Sequence, residues 1–87
     1  MSAQYGLELA RFQLDMARKL EMNSHKNHWS ESTVRWLRNR LRQEIVELGK
    51  ALDDRTPGTR IDNVVSECAD VANFAMMIAD NVREGRP

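Results

Sequence analysis

Only one cysteine, Cys68, occurs among the 87 residues, so no intrachain disulfide can form. A lone thiol fits a reducing compartment, and its simplest role is that of a small apolar helix residue. No apolar run is long enough to span a bilayer, and the first residues lack the hydrophobic core of a signal peptide, so a soluble cytoplasmic protein is expected. Charge of one sign is also missing. The 13 basic and 13 acidic residues cancel, leaving no overall field to recruit DNA, RNA or an anionic membrane. Strand-like alternation, low-complexity tracts and internal repeats do not occur. The expected fold is therefore all-α, in one domain spanning residues 1–87.

Three amphipathic segments fill the chain. The first, about residues 4–22, places Leu7, Leu9, Ala10, Leu14, Ala17 and Leu20 mostly three or four residues apart. The polar run Asn23-Ser24-His25-Lys26-Asn27-His28 breaks that period and predicts a loop. A second helix is expected over about 30–54, with Ser30 and Ser32 both suitable as N-caps. Pro57-Gly58, the only internal pair of its kind, marks the next connection. The third helix, about 60–83, carries Ile61, Val64, Val65, Cys68, Val71, Ala75, Ile78 and Val82 on a broad apolar face. Gly85 and Pro87 predict a short frayed tail. Consecutive Met76, Met77 and Ile78 cannot share one narrow stripe. A wide internal core would use them; so would a second copy, and a homodimer or dimer of dimers completing a four-helix-type core is the expectation.

What the chain does have is acid in the wrong place. At about 100° per residue, Leu37, Leu41, Leu48 and Leu52 form one stripe, and Glu44 falls inside it, about 20° from Leu37. Glu47 lies on its flank. On the third helix Glu67 falls about 20° from Phe74 and about 40° from Val71, with Asp70 nearer the edge beside Phe74 and Met77. Four carboxylates converging between packed helices repel one another and are costly to desolvate without a compensating cation. Oxygen-only ligand sets suit Mg²⁺, or Mn²⁺ as a second choice. Surface ion pairs from Arg40 to Glu44 and from Glu47 to Lys50 are the simpler alternative.

The order Glu44-x-x-Glu47, a linker, then Glu67-x-x-Asp70 resembles that of the MazG-like all-α nucleoside triphosphate pyrophosphatases. The surrounding stretches Gln43-Glu44-Ile45-Val46-Glu47-Leu48 and Glu67-Cys68-Ala69-Asp70-Val71-Ala72-Asn73-Phe74 add to the likeness, which covers about Leu20 to Val82. It implies Mg²⁺-dependent hydrolysis of a nucleoside or deoxynucleoside triphosphate to the monophosphate and pyrophosphate. It also implies Glu44, Glu47, Glu67 and Asp70 as metal ligands. The chain departs from the pattern at Gln43, where many members carry another acid, and in its short C-terminus, where several relatives supply phosphate contacts.

Glu47 is the candidate general base, a role that spacing does not separate from ligation. His25, Lys26 and Trp29 precede the second helix, and the resemblance suggests substrate contacts there: Trp29 stacking on a base, His25 hydrogen-bonding it, Lys26 approaching a phosphate. Alternatively Trp29 staples the helix start to the core. His25 and His28 lack the further ligands that zinc needs. Phe74 is a candidate pocket wall or a core residue. Asn73 and Asn81 are candidate phosphate or sugar ligands, or ordinary polar surface; Asn81 is the one placed in the substrate site. Lys19, Arg40 and Lys50 are possible phosphate or carboxylate partners. The alternative to an enzyme is a non-catalytic dimeric helical module that binds nucleotide or protein, and a DNA-associated regulator is disfavoured by the balanced charge.

Overall fold

The computed structural model describes residues 3–23 and 28–87. Three helices carry the fold: α1 over Gly6–Met22, α2 over Val34–Asp53 and α3 over Arg60–Arg83. No strand occurs among the described residues. Single 3-10 turns at Ala3–Tyr5 and Trp29–Glu31 precede α1 and α2. None of these helices is long and apolar enough to cross a membrane.

Side-chain hydrogen bonds set the helix ends. Asn23 Nδ2 donates to the Lys19 carbonyl at 2.9 Å and closes α1, satisfying one of its last acceptors. The start of α2 lies later than the sequence suggests. Neither Ser30 nor Ser32 caps it: Ser30 belongs to the 3-10 turn, Ser32 is extended, and Thr33 Oγ1 accepts the Trp36 N–H at 3.0 Å. Asp54 Oδ1 accepts from both Thr56 N (3.0 Å) and Thr56 Oγ1 (2.6 Å), and these bonds lower its pKa. Gly58, at φ +87, then supplies the left-handed residue that turns the chain into α3.

The C-terminal residues are docked, contrary to the expected frayed tail. Gly85 at φ +71 reverses the chain after α3, and Arg86 N returns to the Asn81 carbonyl at 2.8 Å. The Pro87 carbonyl then accepts from Val34 N at 2.9 Å, satisfying one of the orphan donors at the start of α2.

α3 is the middle helix; α2 and α1 each pack against it and not against one another. The resulting open arrangement measures 43 × 33 × 22 Å. Its fully buried apolar residues are Leu37 on α2 and Ala69 on α3, and α1 has none. Asn73 and Asn81 are buried too, so neither is the polar surface residue that was one reading of them. The space between α1 and α2, floored by α3, is where the acids meet.

Candidate functional site

Glu44 comes from the stripe of α2 that also buries Leu37, and Glu67 and Asp70 come from one turn of α3 packed against it. One carboxylate oxygen from each of these three residues lies within 4.8 Å of the others. Glu44 is 12 % exposed and accepts from Arg40 Nη2 at 2.8 Å. Asp70 faces Lys19 Nζ of α1 at 3.4 Å. Glu67 has no such partner: its Oε2 is buried without any hydrogen bond. Desolvation raises its pKa first, the charges of Asp70 and Glu44 raise it further, and Lys19 partly offsets them.

Glu47 stands apart from the other three acids. It is 51 % exposed and pairs with Lys50 at 3.4 Å, the surface arrangement anticipated as the alternative for this residue. Glu44 lies on the inner stripe of α2, whereas Glu47, on its flank, is turned outward by the way α2 crosses α3. Arg40 bridges the site to an aromatic wall. Its guanidinium lies 5.2 Å above the Phe74 ring while also bonding Gln43 and Glu44.

Glu44 and Asp70, but not Glu67, line a cavity of about 740 Å³ whose walls include Lys19, Arg40, Asn73, Phe74, Trp36 and Trp29. Its chemistry changes along α3. Around Asp70 stand the carboxylates, Lys19, Arg40 and the Phe74 ring beneath Arg40; Met77 lies about two turns further along α3, towards Asp80, which bonds Trp29.

Of the expected substrate contacts, Trp29 and Phe74 line this cavity, whereas Asn81 does not. Asn81 is fully buried, donates through Nδ2 to the carbonyls of Trp29 (3.0 Å) and Ser32 (3.2 Å), and accepts from Arg86 Nη1 at 2.9 Å. Its carboxamide is thus engaged in holding the segment before α2 against α3. His25 and Lys26 lie outside the described residues. Trp29 stacks on His28 with ring centroids 4.0 Å apart and donates from Nε1 to Asp80 Oδ2 at 2.8 Å. That bond, with a smaller contribution from Arg86, lowers the Asp80 pKa.

Sequence reasoning did not find Asp80 or Arg86. Both partners of Asp80 are remote or in the tail, and an acid on an outer helical turn carries no local sign of its partner.

The residues fit a hard divalent cation. Three carboxylates supply oxygen ligands, and the buried Glu67 Oε2 is an acceptor with no donor among the described residues. Comparisons of the chain with family models, with curated proteins and with solved structures return no match.

Proposed function

We propose that this chain is a Mg²⁺-dependent nucleoside triphosphate pyrophosphohydrolase, with Mn²⁺ as an alternative ion, yielding a nucleoside monophosphate and pyrophosphate. The observation that carries this reading is the convergence of Glu44, Glu67 and Asp70, with the Glu67 oxygen buried and unpartnered, beside a cavity that Glu44 and Asp70 line together with aromatic rings. The likeness of the two acid pairs to the MazG-like pattern supplies the reaction class. When bound, the metal supplies charge neutralisation for phosphate oxygens and a more acidic water.

Glu44, Glu67 and Asp70 hold the ion in this scheme. Lys19 and Arg40 neutralise the acids from either side and are positioned to meet phosphate oxygens entering between α1 and α2. Glu47, turned outward and paired with Lys50, lies off this cluster, so the scheme gives it no proton-transfer role. Trp36, Phe74 and Trp29 offer apolar surface to the base and displace water from it.

The reading includes a homodimer. The accessible surface is 6677 Å², whereas a compact chain of this mass is expected to show about 5,300 Å². The excess, about 1,400 Å², exceeds the roughly 800 Å² that each partner of a typical stable pair buries. Leu7 and Leu14 on α1 and Ile61 and Val82 on α3 are among the exposed apolar side chains that a second copy would cover. Light scattering should give twice the 10.1 kDa chain mass, and Leu14→Glu should lower it. A monomer at tens of micromolar, as an order of magnitude for a stable pair, would remove the dimer from the scheme.

The test is pyrophosphate release from a panel of canonical and damaged triphosphates with and without Mg²⁺, using Glu67→Gln as control. Turnover that needs both Mg²⁺ and Glu67 is expected. Nucleotide binding by folded, metal-loaded protein without any pyrophosphate would favour the non-catalytic helical module instead.

A further inference from the structure

Asn73 is 3 % exposed, lies one turn beyond Asp70 on α3, and forms part of the cavity wall. Its Nδ2 donates to the Met16 carbonyl of α1 at 3.0 Å. That bond fixes which way the carboxamide faces, because the reversed amide would set oxygen against oxygen. Asn73 Oδ1 is consequently held in place as an acceptor, yet it has no hydrogen-bond partner among the described residues. Buried acceptors in folded chains nearly always have a donor, so an oriented one without a donor, on a residue of the cavity wall and itself shielded from water, points to a donor that a ligand brings as the wall opens.

Its place along the helix defines which part of a ligand it meets. From Asp70 to Asn73 α3 rises about 4.5 Å, and from Asn73 to Met77 about another 6 Å. Asn73 therefore stands between the carboxylates and the end of the cavity that holds Met77 and the Trp36 ring. A nucleotide has the same order of parts: phosphates, then a sugar bearing hydroxyls, then a flat base.

Resting on the reading of the preceding subsection, we propose that Asn73 Oδ1 accepts a hydrogen bond from a sugar hydroxyl of the nucleotide and selects for its presence. The Met16 carbonyl is the positioning group that keeps this oxygen from turning away. A ligand without the hydroxyl would close the cavity over an unpaired acceptor, the situation in which sites built for a hydrogen bond discriminate most strongly.

The experiment is calorimetric titration of the wild-type chain, in Mg²⁺, with α,β-methylene triphosphates of one base carrying ribose, 2′-deoxyribose, 3′-deoxyribose or 2′,3′-dideoxyribose. Loss of both hydroxyls should weaken binding at least about tenfold, and in Asn73→Leu the four analogues should bind within about twofold of one another. The side-chain amide signal of Asn73 in a nitrogen-15 spectrum of the wild type gives a readout that needs no variant. It should move differently with the hydroxyl-bearing and dideoxy analogues. Equal binding of all four by the wild type, an Asn73 signal indifferent to the hydroxyls, or unchanged discrimination in folded Asn73→Leu overturns the assignment while leaving the metal-site reading intact. Failure of every analogue to bind the wild type overturns both.

Discussion

Lys19 Nζ lies 3.4 Å from Asp70 Oδ2, so the acid cluster already faces a cation supplied by α1. Both side chains are only about one-fifth exposed, at 21 % and 20 %, which limits screening by water. Lys19 neutralises part of the cluster when no metal is bound and repels a divalent ion when one arrives.

Lys19→Met should therefore separate these effects. Without divalent ions it should destabilise the chain by about 1 kcal/mol, measured by urea unfolding, because Asp70 loses its counter-charge. Calorimetry should show Mn²⁺ binding tightened by about threefold or more, since a nearby positive charge is gone. The KM for a triphosphate should rise, because a phosphate partner has been removed.

Asn81 gives a prediction of a different kind. Its carboxamide serves two backbone carbonyls and Arg86 in a fully buried position, so Asn81→Ala should cost about 2–4 kcal/mol in unfolding free energy. A change in KM at preserved stability would instead return Asn81 to the substrate site.

At the start of α2, Thr33→Ala should cost about 1 kcal/mol, since Thr33 Oγ1 caps the helix. Ser32→Ala should stay within about 0.5 kcal/mol, since the Ser32 side chain provides no α2 cap. Thermal or urea unfolding of the two variants distinguishes the capping residue.

The Trp29–Asp80 bond predicts a pH effect. The folded-state pKa of Asp80 is lowered from the ordinary 3.8. Its stabilisation is present above the unfolded value and is lost as pH falls through the folded one. In a Trp36→Phe background, Trp29 emission should change in that acid range, and Asp80→Asn should remove the corresponding part of the stability change.

Much of this architecture was readable from periodicity. Three helices, the turn at Pro57-Gly58 and the inward placement of Glu44, Glu67 and Asp70 all follow from counting residues around a helix. Glu47 was harder, since a residue on the flank of a stripe turns in or out according to the crossing of α2 and α3, which spacing does not encode. The roles of Asn73 and Asn81 depend on carbonyls 57 and 52 residues away. Local pattern makes Asn a surface residue on a helix; the open packing of α1 and the docked tail make both buried. The docked tail is not legible locally, because Gly85 and Pro87 signal a helix end but not that Pro87 accepts from Val34.

The most direct measurement is calorimetric titration of Mn²⁺ into metal-free wild type and Glu67→Gln. Wild type should saturate with at least one ion per chain, and Glu67→Gln should bind at least about tenfold more weakly, while its metal-free form melts higher because buried carboxylate repulsion has been relieved. No saturable binding by the wild type, or equal binding by the two proteins, would contradict a metal centre at Glu44, Glu67 and Asp70.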